Sequence, residues 1–312
     1  KGRPLSDPCI LHVASASQAQ PLLELDDLEQ QVLGALASAC WPGPLSIVGR
    51  ARLCVPPEVT ASTGFVAVRC PNHPVARDLI AAAGVPLAAP SANRFGHISP
   101  TLPEHVLEDL GHVRGLRILD GGACNVGIES TVAKLDLACG RVVVLRKGGV
   151  TRERLEAVLQ EAAASGTLSS RVAVEYSEKL TSGAKPTKES ESTPQESPGL
   201  LLRHYSPSVP AALLAPEAFE HAGGEALTHK VENSVLVDFG QRMKPFHQHF
   251  LKAFDLCSEH NSQAVDSVAE ACSRAFAVLR AAEAYAVSNG AGFICIADFD
   301  AERLGGFAEA LH

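Results

Sequence analysis

The chain has 312 residues, 46% of them hydrophobic and 20% charged, with a formal net charge of −8 at pH 7. That length allows two domains, the balance is that of a globular protein in water, and no apolar run approaches the ~20 residues that span a bilayer. The acidic total argues against broad electrostatic adhesion to nucleic acid while leaving room for a local basic cleft.

The chain opens on Lys1-Gly-Arg3, two cations that share one side of an extended segment. KGRPLSDP reads as the inside of a domain, so the chain is expected to begin within a longer protein. Cys9–Ala14 reads as a strand, and Leu25–Ala39 has helical periodicity ended by the prolines of Trp41-Pro42-Gly43-Pro44. Leu45–Gly49 and Phe65–Arg69 are apolar strands, and His73–Ala83 is a helix with Pro74 in its first turn. Arg69, ending its strand, is either an exposed flank or an anion-binding group reaching into a cleft.

Val85–Thr101, VPLAAPSANRFGHISPT, is the most informative stretch. It reads as a buried strand, Val85–Ala89, that delivers Ser91, Asn93 and Thr101 to a loop, the kind of junction where ligand contacts gather. Ser and Asn also favour plain turns. Pro103–Leu110 follows as a helix, then Leu116–Asp120, Ser130–Leu135 and Val142–Arg146 as strands, and a helix capped by Thr151 that runs to about Ala163. Arg146-Lys147-Gly148-Gly149 follows the last strand, and its glycines could let a phosphate approach the backbone. Neither a Walker A sequence nor GxGxxG is present, so a nucleotide would be held in another way.

Connections too short for helical crossovers favour a twisted mixed sheet surrounded by helices over a doubly wound parallel one. Residues 165–199 are dominated by Ser, Thr, Lys, Glu, Pro and Gly and read as a mobile linker. Beyond it, Val235–Phe239, Ala264–Ala286 and Phe293–Ala297 read as strand, helix, strand, a small parallel α/β Rossmann-like domain, with a last helix at Leu304–Leu311. The nine cysteines include no CxxC pair and read as reduced thiols, and His247 and His249 have no partner at metal spacing, so no protein metal site is expected.

Taken in order, KGRP, WPGPLSIV, VAVRCPNHP, VPLAAPSANRFGHISPT, LDGG, GIESTV, LRKGG and SPGLLLRHYSP resemble the Sua5/YrdC/YwlC family of threonylcarbamoyl-AMP synthases, in the Sua5 subtype. The resemblance implies an α/β (α+β-like) YrdC-like catalytic domain with an open cleft over 1–163. A linker with a RHYSP lid segment would cover 164–209, and a Sua5 C-terminal domain 210–312. It implies condensation of L-threonine, bicarbonate and ATP, with Mg²⁺, to threonylcarbamoyl-adenylate and pyrophosphate. The product would pass to the tRNA threonylcarbamoyl transferase machinery for t6A37 synthesis in the cytoplasm, or in an organellar form.

By motif, Lys1 and Arg3 would be the catalytic pair at the ATP phosphates, with Ser91, Asn93, Thr101, Arg146 and Tyr205 also on the ATP. His12, Arg69 and Ser130 would face threonine, Arg69 on its carboxylate, and Tyr205 would close as a lid. Two departures stand out. The family's first strand and its PTET-Y-GLG segment are missing before Lys1, which implies an N-terminally truncated member of weak or no activity. Phe65 stands where the family often has Thr. The alternative reading is an RNA-binding module of the same fold, with weak RNA contact and no synthase activity.

Overall fold

The structure is a computed structural model that describes residues 1–181, 195, 206–215, 231–257 and 264–298. Its contacts divide it into two compact units.

The first unit is built on a mixed sheet. Its strands are β1 (Ile10–His12), β2 (Leu23–Glu24), β3 (Leu45–Ala51), β4 (Phe65–Arg69), β5 (Leu87–Ala88), β6 (Thr131–Asp136), β7 (Arg141–Arg146) and β8 (Ala173–Tyr176). They lie in the order β5-β1-β4-β3-β6-β7-β8, with β2 pairing β3 off that path. Pairings β1–β4, β3–β6 and β7–β8 are parallel, and β5–β1, β2–β3, β3–β4 and β6–β7 antiparallel. The expected mixed sheet is therefore what forms.

Alternation along these strands makes two unlike faces. Leu11, Val13, Leu45, Ile47, Val66, Val68, Ala133, Leu135, Val142 and Val144 join one core with Leu33 and Leu36 of α2 (Asp27–Cys40) and Leu155 and Leu159 of α6 (Arg152–Ala164). α2 starts at Asp26, whose side chain accepts from Glu29 N while Glu29 reaches back to the Asp26 backbone, a reciprocal cap. The opposite face carries a smaller cluster, Ile10, Val48, Ala67, Val132 and Leu145. It is the face on which candidate site residues collect.

The second unit holds an all-parallel sheet in the order β11-β10-β12-β9. Its strands are β9 (Ala211–Leu214), β10 (Ser234–Asp238), β11 (Lys252–Asp255) and β12 (Phe293–Ala297). A long helix, α8 (Ala264–Asn289), packs Val268, Ala271, Cys272, Val278, Ala282 and Ala286 against it. α5 (Pro103–Leu110) and the loop from Ala92 to Thr101 belong to this same unit. α1 (Ala16–Ala19), α3 (Pro57–Thr60), α4 (Pro74–Ala83) and α7 (Glu178–Thr181) complete the described helices.

Three expectations are corrected. Val85–Ala89 is not a buried strand: only Leu87–Ala88 pairs, at the sheet edge, and Val85 is 56% exposed. Pro86 brings no N–H to a ladder, which confines the segment to an edge. Leu116–Asp120 forms no strand, and Leu119 is exposed. The stretch expected as linker holds β8, which adds in parallel to β7 and buries Val174, followed by the short helix α7. The expected Leu304–Leu311 helix lies outside the described residues.

Candidate functional site

β1, β4, β3, β6 and β7 lie side by side, and their register builds a polar row at one end of the open face. His12 and Arg69 are Cα partners on parallel strands, two residues beyond Ile10 and Ala67 of the apolar patch. Ser46, two residues before Val48, stands on the same face and is fully buried. Its Oγ lies 2.8 Å from Ser130 Oγ. Arg146 reaches the row through a β-bulge: Val132 pairs Arg146 while Ala133 pairs Val144, so Leu145 is the extra residue. Plain alternation would send Arg146 with Val142 and Val144 into the helix-covered core. The bulge re-aims it, and its Nη2 donates to Ser130 O and Oγ, both at 2.9 Å, while Nε donates to Ser130 O at 3.0 Å.

The row is electropositive and largely dehydrated. Burial draws the Arg69 guanidinium below its ordinary value; Glu129 pulls it back up, and Arg146 adds to the lowering. Burial, then the charge of Arg69, lowers the His12 pKa from 6.5 to about 4, so the ring is neutral at pH 7. His12 Nδ1 is buried without a hydrogen-bond partner. A buried polar atom of this kind is commonly satisfied by a ligand or water. Glu129 Oε2 stands 3.6 Å from Arg146 Nη2. Phe65, the departure from the family pattern, lies under Lys134, with Nζ 4.0 Å from the ring centroid.

Two glycine turns set these side chains. Gly43 O accepts from Arg69 Nε at 3.0 Å, Gly43 N donates to Cys70 O, and Pro44 O accepts from Thr131 N. The Trp41-Pro42 bond ahead of them is cis. So WPGP does more than end α2: it orients Arg69 and aligns β6. Gly148 has a packing part of its own. A Cβ there would stand 2.5 Å from Glu129 O, Ser130 C and Thr131 N. The glycine lets the turn after β7 lie against the backbone of Glu129–Thr131, where Gly149 N donates to Glu129 O at 3.0 Å.

The remaining described candidates have partners of their own. Lys1 Nζ donates to Ser91 O at 2.6 Å. Arg3 donates to Asp7 O at 3.1 Å and to Pro8 O, and pairs with Asp7 Oδ2 at 2.9 Å. In the second unit, buried Asn93 donates from Nδ2 to His97 O at 2.7 Å, and buried Thr101 meets His105 Nδ1 through its N–H at 3.2 Å and Oγ1 at 3.3 Å. Tyr205 lies outside the described residues.

Comparison with known proteins bears on this arrangement. The family model described as "Telomere recombination" (Sua5, yciO, yrdC) matches residues 1–148. The one described as "Threonylcarbamoyl-AMP synthase, C-terminal domain" matches residues 150–311. The chain belongs to the Sua5/YrdC family. The Bacillus subtilis threonylcarbamoyl-AMP synthase is 38% identical over 228 residues, 71% of this chain and 57% of the relative. That of Schizosaccharomyces pombe is 40% identical over 233 residues, 68% and 53%. The chain therefore spans little more than half the length of these Sua5/YrdC relatives. The crystal structure of Pyrococcus abyssi Sua5 complexed with L-threonine matches with a TM-score of 0.75 at 28% identity, over 100% of this chain and 79% of that one.

Within this Sua5/YrdC chain the sheet gathers His12, Arg69, Ser130 and Arg146 in one row. Ser46 and Gly43 are members of that site that sequence reading missed. A serine inside the otherwise apolar LSIV strand was the available signal for the first. Nothing local marked the second, because it acts through its backbone carbonyl.

Proposed function

We propose that the protein is an L-threonylcarbamoyladenylate synthase, a nucleotidyltransferase that condenses L-threonine, bicarbonate and ATP and releases pyrophosphate. The observation that carries this reading is the row His12–Arg69–Ser46–Ser130–Arg146, in a Sua5/YrdC chain that resembles an L-threonine-bound Sua5 along its whole length. Arg69, fixed by Gly43 O, would pair with the threonine carboxylate. Neutral His12 and Ser130 would offer polar contacts to its amine and hydroxyl. By motif, Lys1, Arg3, Ser91, Asn93, Thr101, Arg146 and Tyr205 are assigned to ATP, with Lys1 and Arg3 at its phosphates.

The chemistry needs no protein nucleophile. The threonine amine forms an N–C bond to bicarbonate carbon with net loss of water, giving a carbamate. A carbamate oxygen then bonds the α-phosphorus, and the α–β P–O bond breaks with its electron pair leaving on pyrophosphate. Negative charge grows on phosphate oxygens, and preorganised cations in a dry site stabilise it. The described residues contain no group of three or more His, Cys, Asp or Glu able to hold a metal. Mg²⁺ would enter with the ATP phosphates, where it would supply charge neutralisation. The adenylate would be handed to the machinery that makes t6A37 in tRNA. No helix among the described residues is long and apolar enough to cross a membrane, and we propose a cytoplasmic site of action.

Pyrophosphate release from ATP tests the reading. It should require both L-threonine and bicarbonate, and stop when the divalent cation is chelated. Salt-dependent tRNA binding without threonine-dependent release would replace it with the RNA-binding alternative. Release that survives chelation would remove the cation from the scheme.

A further inference from the structure

The second unit contains a buried charge network that the proposed chemistry does not use directly. α8 offers Arg280 and Glu283, three residues apart and so on one side of the helix, 5% and 7% exposed. Arg280 donates to Ile98 O, to Ser99 O at 3.2 Å and to Asp109 Oδ2 at 2.7 Å. Glu283 Oε2 lies 2.9 Å from His97 Nε2, while His97 Nδ1 lies 2.9 Å from Asp109 Oδ1. Glu283 Oε1 also accepts from Ser208 N at 2.6 Å and Ser208 Oγ at 2.5 Å. His97 thus stands between two carboxylates, one at each ring nitrogen. Arg94, 3.5 Å from Asp109, and Glu108, 3.7 Å from Arg280, face the same cluster.

Three members of this network, His97, Ile98 and Ser99, lie in the loop between Asn93 and Thr101, and Asp109 lies on α5, the helix that follows it. Asn93 is tied to His97 O, and Ser206 N donates to Gly96 O. α8 holds a second segment as closely: a Cβ at Gly127, φ +67°, would stand 2.0 Å from Ser273 O. Ile128, next in chain and two residues before Ser130, packs against the α8 core. A hydrophobic spacer would not need three buried charged groups, Asp109, Arg280 and Glu283, around one loop. Burying them is costly unless they are paired and hydrogen-bonded, as these are.

We propose that Arg280 and Glu283 are positioning residues for nucleotide binding: through His97, Asp109 and the Ile98–Ser99 carbonyls they fix the loop that carries Asn93 and Thr101. This gives the helix of the C-terminal domain a defined part in the reaction, and it rests on the synthase reading above. Arg280 and Glu283 themselves touch no substrate in this scheme.

The test is calorimetric titration of the intact protein with a non-hydrolysable ATP analogue and, separately, with L-threonine. Glu283→Ala and Arg280→Ala should weaken analogue binding about tenfold or more, as loss of a preorganised loop does. Threonine affinity should stay within about twofold of wild type, with Glu283→Gln, which keeps the acceptor for Ser208, falling between. Asp238→Asn is the stability control. Asp238 is fully buried and bonded to His247 in the same unit, away from this network. It should lower the melting temperature and leave analogue binding intact. Variants that bind both ligands like wild type overturn the inference, as do variants whose two affinities fall together. A wild-type protein that binds neither ligand overturns the synthase reading instead.

Discussion

Gly148→Ala isolates what the turn after β7 does. The added methyl would meet Glu129 O, Ser130 C and Thr131 N, all at 2.5 Å and all backbone, so no flexible side chain can yield. Ordinary carbon contacts need ~3.5 Å, so the two segments must part by about 1 Å. The Gly149–Glu129 bond at 3.0 Å and the Ser46–Ser130 bond at 2.8 Å would then both stretch out of range. Overpacking costs about 2 kcal/mol and the two hydrogen bonds about 1 kcal/mol each, some 4 kcal/mol in all. At roughly 2–4 °C per kcal/mol, the melting temperature should drop by about 8–16 °C. Ser130 and Arg146 shift with the turn, and a 1 Å misplacement lowers turnover about 10²-fold. Circular dichroism melts and threonine-dependent pyrophosphate release measure the two effects. Gly34→Ala is the internal contrast: its Cβ meets nothing within 4 Å on α2, so it should be neutral or stabilising by up to ~1 kcal/mol. A Gly148→Ala protein that melts and turns over like wild type would refute the close-packing argument.

Other expectations follow from the same row. His12 has a folded pKa of about 4 against 6.5 when unfolded. Between those values the unfolded chain binds a proton that the folded one does not, so stability falls as pH drops from 6.5 towards 4, by up to about 3 kcal/mol. His12→Gln should flatten that slope by about one proton in urea titrations across the window, and an unchanged slope would sink the assignment. Arg69→Lys keeps the charge but loses the Nε–H to Gly43 O. Steady-state kinetics should show the KM for threonine rising about tenfold with the KM for ATP unchanged, and a parallel rise in both would count against a threonine contact.

The site was legible in sequence where one residue type does one job. Apolar alternation located β3, β4, β6 and β7 within a residue or two, and Arg69, Ser130 and Arg146 stood out as polar groups at strand ends. What sequence concealed was geometry made by backbone or by distance along the chain. Nothing in VVVLR announces a bulge, yet without it Arg146 would face the helices. Nothing local marked His97, because its partner Glu283 is 186 residues away. β8 was lost for another reason: Ala173–Tyr176 sits at the start of a Ser- and Thr-rich stretch whose composition outweighed four residues of alternation. Val85–Ala89 failed in the opposite direction, since its apolar composition suggested burial that Pro86 and an edge position deny.

The way the cations are held bears on why such a site can take anions. Lys1 donates to Ser91 O, Arg3 to Asp7 O and Pro8 O, Arg69 to Gly43 O and Arg146 to Ser130 O. Each of the four is oriented through a main-chain carbonyl. A carbonyl dipole fixes direction and satisfies one N–H, but unlike a carboxylate it does not cancel the positive charge. Arg3 is in addition bridged to Asp7 at 2.9 Å. Arg146 instead sits close enough to disfavour the charge of Arg69, with Glu129 the nearby counterweight. Two like charges kept near each other in a buried row raise the energy of the empty site. On the proposed reading, a carboxylate or phosphate arriving there would relieve that repulsion, and part of the affinity for it would already be stored in how WPGP, the β7 bulge and Gly148 fold.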